Sequence, residues 1–277
     1  MRRLRAIWNA AATTRNAFHN WIRIGVIAGI ASPSAIPPRS GLDALASVRL
    51  RFRTRLGPVL ETQAGNASPI IEIFRDGEYE IPVRWHALNT IVDVGGHVGS
   101  FTLWAAWQAP QARIVVLEPE PRNFADLSRN VDRNGLTDRV ECIEAGLAPR
   151  SGSIELHVPV HRDNTSMFAA AGPSVAVAAL SLGDVLERFT EPLDLLKLDC
   201  EGAEWEVLPS LSRKVWERLP TIVMECHATS EHSVDEMIDL LVANGYSIDV
   251  LERVPSGVAW YDEIATLFVT RAKQYGV

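Results

Sequence analysis

The sequence predicts an α/β fold: a mostly parallel sheet with helices on both faces. Three observations carry this. From residue 90 onward, short apolar runs alternate with longer helical patterns. Some of those runs, such as Ile114–Leu117, are unbroken, which indicates strands buried on both faces. Residues 91–100 join a strand, a glycine turn and a helix start, a context in which ligands sit beyond a strand's carboxyl end.

The 277 residues are 47% hydrophobic and 22% charged. That is ordinary globular composition, and it excludes wholesale disorder and collagen-like repeats. The net charge of −7 hides an asymmetry. Residues 1–60 hold ten arginines and one acid, Asp43, whereas residues 61–277 hold 17 basic and 33 acidic residues. Two parts with different roles are expected, a basic, mainly helical extension over 1–67 and an α/β domain over 68–277. The acidic domain is a poor grip for a phosphate backbone, so no nucleic-acid partner is expected. The three cysteines, Cys142, Cys200 and Cys226, form no CxxC pair. They read as buried strand residues of a protein in a reducing, cytoplasmic compartment. The apolar run Ile24–Ala31 is too short to span a bilayer, so no transmembrane segment is expected.

Taken in order, residues 1–31 read as helical, and Ser32–Pro38 breaks the helix. Residues 41–60 are basic and read as helical in part. Residues 68–84 carry Asp76-Gly77 between apolar runs, a hairpin signal. Strands are expected at Ile91–Val94, Ile114–Leu117, Val140–Glu144, Leu193–Leu198, Ile222–Glu225, Ser247–Leu251 and Ala265–Val269. Helices are expected at 99–108, 122–134, 203–217 and 231–244. Residues 151–181 hold two alternating segments around a polar stretch and read as a β insertion.

The glycine turn, Asp93-Val-Gly-Gly-His-Val-Gly99, fails the dinucleotide pattern because His97 and Ser100 stand at its second and third glycine positions. Asp93 just before the turn repels a diphosphate and welcomes an ammonium group. S-adenosylmethionine carries an ammonium and a sulfonium, and the loop is similar to the acid-x-Gly-x-Gly-x-Gly of class I methyltransferases. Gly95 allows close backbone approach and Gly99 close helix packing. Glu118, at the end of the next strand, is placed to accept hydrogen bonds from ribose hydroxyls. Glu120 lies past Pro119 and should point elsewhere. Ala145 and Gly146 leave room for an adenine ring. Asp199, Glu201 and Glu204 follow the fourth strand, and Glu225 and His227 end the fifth. Transfer to a hydroxyl needs a proton acceptor. Asp199 is the first candidate and His227 the second, with Glu201 beside them. A divalent cation held by Asp199, Glu201, Glu225 and His227 is the alternative. Glu204 reads as a helix N-terminal acid facing the dipole.

Four stretches resemble the FkbM family of S-adenosylmethionine-dependent methyltransferases. They are Val92–Thr102, Leu117–Phe124, Leu195–Glu204 (Leu-Leu-Lys-Leu-Asp-Cys-Glu-Gly-Ala-Glu) and Val223–His227; Phe74–Tyr79 is a weaker match. The departures are His97, where the family prefers Asn, and Cys200, where it prefers Val. The resemblance covers about residues 70–270. It implies a Rossmann-like class I fold, with seven strands in the order 3-2-1-4-5-7-6 and the last antiparallel. It implies cofactor contacts from Asp93, Gly95, Gly96, His97, Val98, Gly99, Thr102, Glu118, Pro119, Asn123, Ala145, Gly146 and Asp199. The expected reaction is O-methylation of a small molecule, sugar or glycan. Glu225, Asn164 and Ser166 are expected to contact that acceptor. N- or C-methylation and a non-catalytic protein of the same fold are the alternatives. The basic segment is read as completing the acceptor pocket, joining copies in a homo-oligomer, or resting on an anionic surface.

Overall fold

The computed structural model describes residues 47–157, 174–256 and 261–271. The helix expected over 1–31, and Asn164 and Ser166, lie outside these residues. The described chain opens with a β-hairpin, β1 (Arg49–Arg53) and β2 (Val59–Gln63), paired in register from Arg49↔Gln63 to Arg53↔Val59. The helical expectation for 41–60 is therefore wrong over these strands. Leu50, Phe52 and Leu60 alternate with polar residues and face inward, which is the period of a strand. A short helix, α1 (Ser68–Ile71), runs into a wide turn over Glu72–Asp76. The expected hairpin at Asp76-Gly77 is also wrong. Gly77 sits at φ 73° and ends this helical stretch instead, the other common use of a left-handed glycine.

The remaining elements are β3 (Thr90–Val94), α2 (Ser100–Gln108), β4 (Arg113–Leu117), α3 (Pro121–Arg133) and β5 (Val140–Ile143). Then come β6 (Gly146–Leu147), β7 (Gly152–His157), β8 (Ser174–Leu180), α4 (Leu182–Leu186) and β9 (Leu195–Leu198). The chain continues with α5 (Glu204–Ser210), α6 (Arg213–Trp216), β10 (Thr221–Ala228), α7 (Val234–Ala243), β11 (Tyr246–Pro255) and β12 (Glu263–Arg271). The single helix expected over 203–217 is two short ones, parted after Ser210 next to Pro209.

The main sheet has the order β11-β12-β10-β9-β3-β4-β5. All its pairs are parallel except those of β12, which runs antiparallel to both β10 and β11. This is the expected class I order. The strand order reverses at β3 and β9, so a crevice opens beyond their carboxyl ends. Alternate residues of each central strand serve two cores. Ile91, Ile114 and Val116 pack under α2 and α3, and Val92, Val115 and Leu117 pack on the opposite face. The described residues of the 151–181 insertion supply β7 and β8, which join β6 in a separate three-stranded sheet, β6-β8-β7. Among the described residues no helix is long and apolar enough to cross a membrane.

Over its described residues, from 47 on, the expected extension packs into this unit. Leu50, Phe52 and Leu60 join the core containing Ile91 and Phe101. The outer edge of β2 would leave backbone groups unpaired, but α3 covers it. Val59 donates its N–H to Asn134 Oδ1 at 2.9 Å, and Asn134 Nδ2 donates back to the Val59 carbonyl at 2.8 Å. Asn130 accepts from the Glu61 N–H at 2.8 Å in the same way. A side-chain amide thus takes the place of a neighbouring strand. Asn134→Ala orphans both Val59 groups and is expected to cost about 1–2 kcal/mol. Urea unfolding of the two proteins measures this, and equal midpoints would show that α3 does not hold the hairpin.

A carboxylate-rich cavity at the sheet's switch point

A cavity of about 540 Å³ occupies the crevice. One half is built from the glycine turn and the strand ends beside it. Gly95 (φ 78°) is fixed by sterics, since a Cβ there would lie 1.8 Å from the Asp199 carbonyl oxygen. A Cβ on Gly96 would lie 2.2 Å from Val116 Cγ2. The Gly95 and Gly96 N–H groups both donate to the Leu117 carbonyl, which ties the turn to β4. His97 adopts φ 48°, a left-handed conformation that glycine would take more readily. Burial pushes its imidazole down to about 4, so the ring is neutral.

Glu118 is almost fully buried and lines the cavity. Its two oxygens accept from the backbone N–H groups of His97 (2.7 Å) and Glu120 (2.9 Å). Burial outweighs those bonds and pushes its carboxyl up to about 7. Glu120 points elsewhere, as expected, capping α3 by accepting from Arg122 and Asn123 N–H. Pro119, Asn123, Ala145 and Gly146 complete this half.

Four residues expected at the cofactor do not line the cavity. Asp93, Val98, Gly99 and Thr102 sit behind the turn. Thr102 Oγ1 donates to Asp93 Oδ2 at 2.5 Å, and Lys197 Nζ lies 3.4 Å from Asp93 Oδ1. The Asp93 charge is thus met inside the protein. Lys197, 2% exposed, also donates to the carbonyls of Val94 (3.2 Å) and Gly95 (2.9 Å) and to Asp199 Oδ2 (3.2 Å). Burial alone would push its pKa down, but Asp199, Asp93 and Glu225 outweigh this and hold the ammonium charged.

The other half of the cavity is dominated by carboxylates. Asp199, Glu201 and Glu225 line it with His227, as the sequence placed them, and so do Glu72, Glu78 and Glu252. His227 Nδ1 lies 2.9 Å from Glu204 Oε1, which also accepts the His227 backbone N–H at 2.8 Å. Glu204 Oε2 accepts from Gly202 N–H at 2.9 Å. Glu204 therefore does more than face a helix dipole: it fixes the imidazole. The His227 Nε2 side looks onto Glu225 Oε2 (3.7 Å) and Glu201 Oε2 (3.8 Å). Burial alone would lower the His227 value, but Glu204, Glu201 and Asp199 push it up to about 10. Burial pushes Glu201 up to about 8. Tyr79 donates its hydroxyl to Glu225 Oε1 at 2.9 Å. Cys226 is buried in β10, whereas Cys200 is half-buried after β9 and lines the cavity.

Sequence reasoning missed Lys197, Glu72, Glu78 and Tyr79. Lys197 had a signal, a lone lysine inside an apolar strand, where only ion pairing makes it tolerable. Glu78 and Tyr79 lay in the weak match Phe74–Tyr79 but without a role, and Glu72 had no signal, because this segment reaches the site from outside the sheet.

The fit to S-adenosylmethionine rests on this shape. The volume lies in the range of small-ligand sites. The Gly95–Gly96 cradle admits no side chain, and the buried Ser100 hydroxyl and His97 Nδ1 lack hydrogen-bond partners at the turn. Comparison with known proteins agrees. Residues 93–248 match the model of the methyltransferase FkbM domain. Methyltransferase sdnD of Sordaria araneosa is 30% identical over 187 residues, covering 56% of this chain and 72% of the relative. The 31-O-demethyl-FK506 methyltransferase FkbM of Streptomyces tacrolimicus is 26% identical over 230 residues, covering 71% and 88%. A solved FkbM methyltransferase from Methylobacillus flagellatus KT aligns over 97% of this chain and 59% of its own, at 14% identity and a TM-score of 0.47. The matched model spans more than half of the chain: this protein is a methyltransferase of the FkbM family, with S-adenosylmethionine as its methyl donor.

Proposed function

We propose that this protein methylates a hydroxyl group of a small molecule or glycan. The carboxylate-rich half of the cavity carries the reading. A neutral amine entering among Glu72, Glu78, Asp199, Glu201 and Glu225 would be held protonated, with its lone pair unavailable. A hydroxyl keeps its lone pairs there and needs only a group to take its proton.

Bound S-adenosylmethionine supplies an electrophilic methyl group on a sulfonium. The glycine turn, Glu118 and the small residues Ala145 and Gly146 hold and orient it. Asp93, behind the turn, acts through Thr102 and Lys197. Asp199 is the proton acceptor in this reading. It lies against Gly95 and its ionised form is held by Lys197. His227 carries a proton at neutral pH, so it orients the acceptor and balances Glu201 and Glu225. The 31-O-demethyl-FK506 relative, by its name, acts at an oxygen, which supports the same chemistry here.

Release of S-adenosylhomocysteine, followed over paired hydroxyl- and amine-bearing acceptors, tests the reading. Methylated oxygen is expected; a methylated nitrogen as the main product would overturn it. Asp199→Asn should lower turnover about 10²–10⁴-fold while S-adenosylmethionine still binds in calorimetry. Undiminished turnover would assign the proton to another group.

The His227 clasp gives a pH prediction. Its folded value, about 10, lies above the ordinary histidine value near 6.5. The pair therefore contributes stability that is full below about 6.5 and is lost as the pH rises through about 10. Glu204→Gln should lower the His227 titration, read by ring NMR, and flatten the loss of stability between neutral and alkaline pH. An unchanged titration would show that Glu204 does not set it.

A further inference from the structure

We propose that Asp199, Glu201 and His227 form a divalent-cation site, suited to Mn²⁺, at the acceptor end of the cavity. One ligand atom from each lies within 4.8 Å of the others. Adjacent ligands of an octahedral ion lie about 3 Å apart and opposite ones just over 4 Å. Small side-chain rotations therefore bring the three onto one ion.

Two further observations point to a ligand. His227 is 2% exposed, and its Nε2 faces this cluster without a hydrogen bond, the nearest carboxylate oxygens standing at 3.7 and 3.8 Å. Its other nitrogen is fixed on Glu204, the arrangement that orients an imidazole toward a metal. Glu201 is also held at φ 53°. A side chain other than glycine is strained there, and such strain gathers at functional positions. The strained backbone keeps a carboxylate at the cavity wall where glycine would supply none.

Two carboxylates and an imidazole suit Mn²⁺, which accepts both hard oxygen and imidazole nitrogen. A cation here would replace the charge that the His227 proton supplies in its absence. It would bind the acceptor oxygen and lower the pKa of its hydroxyl, a route that makes Asp199 a ligand and leaves the proton to Glu225. This assignment rests on the reading of this half as the acceptor end.

The test is a titration of the full chain, with no histidine tag, using MnCl₂. Calorimetry and the electron paramagnetic resonance signal of free Mn²⁺ are followed together. One ion per chain is expected, with at least tenfold weaker binding in Glu201→Gly and in Asp199→Asn. Glu201→Gly suits its backbone conformation and is expected to melt no lower than the parent. No uptake at millimolar MnCl₂, or uptake equal in the parent and both variants, would overturn the site. Neither result touches the hydroxyl reading, which stands or falls on the acceptor panel.

Discussion

The site depends on one buried ammonium. Lys197 stands in the middle of the sheet, where removing a charge from water costs several kcal/mol unless partners surround it. Two carboxylates and two carbonyls do so. They come from the end of β3, from the glycine turn and from the end of β9, so the bonds that satisfy the charge also fix the crevice walls. The Tyr79 and Phe101 rings lie over it at 5.8 and 6.0 Å and shield it from water. Asp93 and Asp199 are placed by the same contact, one behind the turn and one on the cavity.

That contact divides the labour among the acids. Lys197 is answered by four partners, and of its two carboxylates Asp199 alone lines the cavity. Glu204 closes around His227. Trp205 donates to the His227 carbonyl at 2.7 Å, and Tyr261 lies with its ring 4.8 Å from the imidazole, so the strand end is held from three sides. Glu225 is held by Tyr79. Two built clasps, one on Lys197 and one on His227, thus present Asp199, Glu201 and Glu225 to a shared space.

All seven sheet strands were legible in the sequence, the central ones because a strand buried on both faces writes its burial as an apolar run; the edge strand β11 is mostly exposed. The glycine turn was legible too, since only Gly95 and Gly96 tolerate their neighbours. The identity of the acids at Asp199, Glu201, Glu225 and His227 could be read because they follow strand ends, where the topology fixes their position. Asp93 was misplaced for a physical reason. Sequence shows an acid beside a turn but not the lysine that answers it from a strand 103–104 residues away along the hydrogen-bonded register of β3 and β9. Glu72 and Glu78 could not be placed at the site, because their short helical turn and the residues just after it lie outside the sheet whose topology fixes the other acids.

The basic amino-terminal part reads differently once the hairpin is placed. Two of its arginines are answered by acids: Arg49 by Asp126 of α3 and by Glu61 of its own hairpin, and Arg51 by Glu61. Exposed pairs of this kind contribute little. The stronger link is inside, where Thr62 donates to Asp126 Oδ2 at 3.0 Å and Asn66 Nδ2 donates to Asn123 Oδ1 at 3.0 Å. Asn123 lies in the first turn of α3, the turn that Glu120 caps and that borders the cavity. The hairpin and the residues after it therefore back the donor half of the site through α3. Residues 64–79 then cross to the acceptor half, where Glu72, Glu78 and Tyr79 enter the wall. A single segment ahead of β3 thus contacts both halves of the cavity, and the described part of the basic segment, from residue 47 on, packs against the fold that builds it.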